Sequence, residues 1–115
     1  MNENLTPLTP AVFHVLVALA DGEKHGYAIL KEVTDQTGGE VQLSTGTLYG
    51  IIKRLLAGGL ISEVRIPAYK MDDPRRRYYR LTEAGRDTAV AEAKRLENMI
   101  KRARSKRLIR EPRSL

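Results

Sequence analysis

Between His25 and Gly85 the chain reads HGYAILKEV (25–33), STGTLYGIIKRLLAGGLI (44–61) and RRRYYRLTEAG (75–85). Ser44 is a hydroxyl N-cap and Gly58-Gly59 is a stop, so a helix is predicted from Thr45 to Ala57. Leu48, Ile51, Ile52, Leu55 and Leu56 form a 3–4 spaced apolar stripe on one side of it. The opposite side carries Thr45, Gly46, Tyr49, Gly50 and Lys53, which are uncharged or basic. Before it, a helix is predicted from about Lys24 to Gln36, closing at Gly38-Gly39, with Ile29, Leu30 and Val33 facing inward. After it, Leu60 to Ile66 is β-rich, and Arg77 to Leu81 is its partner strand. Residues 67–75 form the charged tip between the two strands. Two helices followed by a two-stranded ribbon is the order of a winged helix-turn-helix, which lays its second helix in the DNA major groove.

The flanking sequence supplies a helix on either side. Thr9-Pro10 is a helix start, with Leu8 and Phe13 placed as a hydrophobic staple. This first helix is predicted to run to about Ala20, where Asp21-Gly22 stops it. Val12, Phe13, Val15, Leu16, Val17 and Leu19 cover nearly its whole circumference. Such a helix must be buried on more than one side, by the core and by a second subunit. Thr82 caps a last helix predicted to reach about Leu108, some ~40 Å long. Its Ala89, Ala93, Leu96, Ile100 and Ala103 follow a 4-3-4-3 spacing, the pattern of a coiled-coil-like seam. The seam is short and rich in alanine, so it needs the first helix beside it to hold a dimer. The predicted dimer interface is Phe13, Leu16, Ala89, Ala93, Leu96, Met99, Ile100 and Ala103. The fold class is mainly α (α+β): a winged helix-turn-helix domain over 1–81, a C-terminal dimerisation helix over 82–110, and a frayed tail over 111–115.

Composition narrows the function. A chain of 115 residues is one domain and gains stability by oligomerising. It has no cysteine, which removes disulfides, thiol catalysis and thiolate metal sites together. No apolar run approaches the ~20 residues of a membrane span, and Met1-Asn2-Glu3-Asn4 lacks the basic region of a signal peptide. A cytoplasmic protein with no membrane partner is expected. The net charge of +6 is unevenly spread. Residues 1–40 carry six acids and two bases, whereas residues 41–115 carry eighteen bases and eight acids. Positive charge therefore begins where the predicted reading helix begins, and basic surfaces hold phosphates.

The predicted DNA contacts follow from that placement. Ser44, Thr45, Gly46 and Thr47 give the helix a small, polar first turn that lets its backbone approach the groove. Tyr49, Gly50 and Lys53 continue the same face, Lys53 within reach of phosphate or guanine O6/N7. Lys24 and His25, at the start of the preceding helix, are placed to touch phosphate. Lys70, Arg75, Arg76 and Arg77 arm the wing; Asp72 and Asp73 at its tip repel phosphate, so the base of the wing makes the contact. Tyr79 and Leu81 share the inward strand face, and Tyr78 and Arg80 the outward one. The strongly basic stretch from Lys94 to Arg110 reads better as a solvated face than as a second nucleic-acid contact.

These motifs, in this order and over roughly Leu8 to Leu108, resemble the PadR family of bacterial transcriptional regulators. The resemblance implies a homodimer that binds a pseudo-palindromic operator, most often as a repressor, and is released by an effector. It also implies a mainly structural role for His25-Gly26-Tyr27. Gly50 departs from the family, where proline often follows this Leu-Tyr pair. Alanines at 89, 93 and 103 fit either close helix contact or a small cavity for a small-molecule effector at the dimer interface; close contact is favoured. Two other functional classes compete with this reading. A protein-docking winged helix would show an apolar or acidic face on its reading helix, and this face is polar and basic. An enzyme would need a nucleophile–base pair or a metal set, and His14 and His25 without cysteine or clustered carboxylates supply neither. No catalytic residue, metal or cofactor is expected.

Overall fold

Side-chain caps set the helices of the structure, a computed structural model that describes residues 8–70, 73 and 75–110. Thr9 Oγ1 accepts the Val12 N–H at 3.3 Å and starts α1 (Pro10–Ala18). His25 Nδ1 accepts the Ala28 N–H at 3.1 Å and starts α2 (Gly26–Gln36). Ser44 Oγ accepts the Thr47 N–H at 3.1 Å and starts α3 (Thr45–Ala57). Thr82 Oγ1 accepts the Gly85 N–H at 3.0 Å and starts α4 (Glu83–Ser105). Each such cap contributes about 1 kcal/mol to its helix. One face of each of the first three helices meets in a single core. Val12, Val15 and Leu16 of α1, Ile29 and Val33 of α2, and Leu48, Ile51, Ile52 and Leu55 of α3 are all buried there.

The sheet is larger than expected. Strands β1 (Lys24–His25), β2 (Ile61–Val64) and β3 (Tyr78–Leu81) form an antiparallel sheet in the order β1-β3-β2. Lys24 stands opposite Tyr79 and His25 opposite Tyr78, while Ile61 pairs with Leu81 and Val64 with Tyr78. The expected two-stranded ribbon is therefore three-stranded, and α2 starts at Gly26, because Lys24 and His25 pair with the wing. Both wing strands are shorter than expected, and a 3-10 turn at Ala68–Lys70 lies between them. Tyr79 is buried, as its inward phase requires, and Leu81 is half-buried. The expected tip residues Met71, Asp72 and Pro74, and the expected frayed tail at 111–115, lie outside the described residues.

Helix α1 ends two residues earlier than expected, and two cations close it. Lys24 Nζ donates to the Ala18 carbonyl at 2.6 Å, and Arg86 Nη2 donates to the Ala20 carbonyl at 2.9 Å. Positive groups at a helix C-terminus satisfy its last carbonyls and its dipole. Lys24 also binds Asp21 and lies 3.5 Å from Glu32. The hydrogen bond from Lys24 holds the Asp21 carboxyl below the usual aspartate range.

The turn after α3 seats α4. Gly59, at φ +73°, lets the Leu60 N–H return to the Leu55 carbonyl at 2.9 Å. The Leu60 carbonyl then accepts the Thr82 N–H at 3.1 Å, and the Gly59 carbonyl accepts the Thr82 hydroxyl at 2.6 Å. Gly85, buried in the first turn of α4, lies so close that a Cβ there would overlap the Leu60 carbonyl. Further along α4, Glu92 is only 3% exposed. It takes Arg95 on both carboxylate oxygens, at 2.9 and 2.5 Å, and also accepts the Leu8 N–H. Arg95, ahead of every other influence, holds its carboxyl below the usual glutamate range. The helix ends at Ser105, short of Leu108. There the Leu108 N–H folds back to the Ala103 carbonyl at 2.9 Å, with Arg107 at φ +66° where glycine is usual. No helix among the described residues is long and apolar enough to cross a membrane.

Candidate nucleic-acid interface

The stripe of buried leucines and isoleucines fixes which side of α3 faces out. Ser44, Thr45, Gly46, Thr47, Tyr49, Gly50 and Lys53 are all exposed, as their phase predicts. The Ser44 hydroxyl donates to Thr47 Oγ1 at 2.9 Å while it caps the helix, so the first turn is already ordered. Gly46 and Gly50 have open space beside their Cα atoms. No acid occurs anywhere in α3.

Tyr49 does not extend freely from this face. Its phenol lies across Gly26, the first residue of α2. Next to Gly26, the His25 ring meets Tyr78 edge to face, with centroids 5.3 Å apart. Tyr27 lies under the Arg76 guanidinium at 5.9 Å, a geometry that favours the cation electrostatically. Arg76 Nη1 also approaches His25 Nε2 at 3.1 Å. Because His25 Nδ1 accepts from Ala28, a neutral ring carries its proton on Nε2 and accepts nothing from Arg76 there. A cleft of about 370 Å³ runs between the start of α2, Tyr49 and the arginines of the wing.

The wing arginines differ in setting. Arg75 grips Asp73 with two side-chain bonds of 3.1 Å and a backbone bond of 2.9 Å. That grip holds the Asp73 carboxyl below its usual range and keeps its charge folded onto the base of the wing. Arg77 reaches Glu63 on β2 at 3.0 Å. Both pairs are exposed, and exposed pairs exchange partners readily. Lys70 is exposed, with its ammonium 6.0 Å from the Tyr69 ring.

Thus Ser44, Thr45, Gly46, Thr47, Tyr49, Gly50 and Lys53 share one face, and Tyr49 with His25, Arg75, Arg76 and Arg77 lines the adjoining cleft. Lys24 is the exception. Its ammonium is engaged by the Ala18 carbonyl, Asp21 and Glu32 rather than turned to the cleft. Gly26, Tyr27 and Glu63 were not anticipated here; the HGY motif marked the first two, without their partners.

The second expected surface is also partly redrawn. Met99 and Ile100 are exposed, Ala93 is exposed, and Phe13, Ala89, Leu96 and Ala103 are half-buried to varying degree. Leu16 is completely buried by its own chain and has no surface left for a partner. Its neighbour Val17 is 46% exposed, and Val90 of α4 is 54% exposed. Those two valines, with Phe13 and Ala93, line an apolar groove of about 170 Å³ between α1 and α4. Among the described residues no group of three histidine or acidic side chains converges as a metal site.

Residues 15–91, more than half the chain, match the transcriptional regulator PadR-like family. A transcriptional regulator of Mycobacterium tuberculosis is 36% identical over 89 residues, covering 76% of this chain and 77% of that one. A PadR family transcription regulator from Clostridium difficile superposes with a TM-score of 0.71 at 26% identity, covering 82% of this chain and 94% of that one. Bacillus subtilis PadR, solved in complex with operator DNA, has a TM-score of 0.60 at 20% identity, covering 95% of this chain and 52% of that one. The last shares the fold. With its capped reading helix, three-stranded winged sheet and long final helix, this chain belongs to the PadR-like family of transcriptional regulators.

Proposed function

We propose that the protein is a homodimeric repressor that binds a pseudo-palindromic operator in double-stranded DNA. The observation that carries this reading is the acid-free, exposed face of α3, from Ser44 to Lys53, beside the arginines of the wing. In a duplex complex the first turn of α3 enters the major groove and Lys53 reaches a base or phosphate. Arg76, held over the Tyr27 ring, follows the backbone. The operator complex of Bacillus subtilis PadR supports the assignment through the shared fold. Residues 1–81 act as the reading domain. The exposed apolar side of α1 and α4 joins two copies, and a small-molecule effector would act there. The protein works in the cytoplasm, without catalysis.

A mobility-shift assay on the DNA upstream of its own gene tests this reading. Saturable binding that resists non-specific competitor is expected; binding no tighter than to random duplex would reject it. Two variants separate the roles. Lys53→Ala should cost ~1–3 kcal/mol and relax preference at one base position, if the ammonium reads a base. Arg76→Ala should weaken all sequences alike and lower the salt slope by about one unit. An unchanged slope would remove Arg76 from the backbone.

A further inference from the structure

We infer that Gly26 is a positioning residue for Tyr49, holding the phenol in the cleft beside the reading face of α3 without touching DNA itself. The inference rests on the DNA reading of α3 given above. Glycine is costly at Gly26 on conformational grounds alone, since it leaves the unfolded chain more freedom to lose than alanine does. Its φ is not in the left-handed region, so the backbone does not require it. The requirement is spatial. A Cβ on Gly26 would overlap the Tyr49 hydroxyl, with the ζ carbon 2.9 Å and the nearer ε carbon 3.4 Å away. Gly26 is thus the floor on which the end of the Tyr49 ring rests.

That floor is tied to the wing on both sides. His25 is paired with Tyr78 of β3, and Tyr27 packs under Arg76. Tyr49 is 47% exposed, so the floor, more than burial in the core, selects its rotamer. A side chain already held in its bound rotamer loses less freedom on binding, which is worth roughly two- to ten-fold in affinity. The obstacle to a Cβ is the tip of a side chain with open solvent beside it. Alanine at 26 should therefore displace the phenol and leave the helices in place.

A mutant cycle on the upstream duplex tests this. Tyr49→Ala and Gly26→Ala should each weaken binding about three- to ten-fold. In the Tyr49→Ala background, adding Gly26→Ala should change affinity by less than about two-fold, because the ring it displaces is gone. Thermal melts give a readout independent of DNA. Once Tyr49→Ala empties the space, Gly26→Ala should raise the melting midpoint by restricting the unfolded chain; with Tyr49 in place it should not. Wild-type affinity for Gly26→Ala, equal losses in both backgrounds, or a lower midpoint in the Tyr49→Ala background would each overturn the positioning role. Wild-type affinity for Tyr49→Ala would instead overturn the DNA role of Tyr49, and the inference with it.

Discussion

Gly85→Ala should unfold much of the protein at temperatures where the wild type is intact. The Cβ would overlap the Leu60 carbonyl, a backbone atom with nowhere to swing. That carbonyl already accepts the Thr82 N–H, and Thr82 in turn caps α4 and binds Gly59. Relief therefore requires α4 to lift from the turn that follows α3. Overpacking of this kind costs about 3 kcal/mol or more, a large part of the stability of a small domain. Circular dichroism should show a melting midpoint lowered by roughly 10–20 °C. A midpoint within a few degrees of wild type would show that the α4 joint is looser than its hydrogen bonds imply. Gly26 and Gly85 thus face opposite consequences from the same added methyl: one meets a movable ring, the other a fixed backbone.

Val17→Glu with Val90→Glu should leave a folded monomer that has lost its operator. Both valines are about half exposed in the single chain, so charge there costs the monomer little. In a dimer built on the α1–α4 groove, four carboxylates would be forced into an apolar contact. A dimer binds two half-sites with the second made effectively intramolecular, which multiplies affinity by about 10² to 10⁴. Loss of the dimer should therefore weaken operator binding by about 100-fold or more. Sedimentation equilibrium should show the monomer mass, with helical content unchanged. A variant that sediments as a dimer with wild-type affinity would place the subunit contact elsewhere.

Local signals carried most of the architecture. Thr9, Ser44 and Thr82 cap the helices that their sequences announce, and the stripe from Leu48 to Leu55 fixes the outward face of α3. What escaped depended on residues distant in the chain. β1 is two residues long, too short for an alternating pattern, and exists only because β3 lies beside it. Lys24 looks like a free cation at a helix start, yet the end of α1 and Glu32 of α2 converge on it. Leu16 and Val17 are equally apolar neighbours; only the packed core shows that Leu16 is spent inside and Val17 is not. Glu92 gave no warning, because an acid in a charged helix looks solvated until the fold buries it. The resemblance implied only a structural role for the HGY motif; the ring that lies against Gly26 comes from Tyr49, across the fold.

The absence of cysteine permits a direct test of α3 as the reading helix. Thr45→Cys introduces a single thiol on its exposed first turn, to which a DNA-cleaving iron chelate can be tethered. Two compact clusters of cuts on the operator are expected, opening from the major groove and centred about one helical turn, ~34 Å, apart. Diffuse cutting no stronger than that of the untethered chelate, or a single cluster, would contradict a dimer that reads DNA through α3.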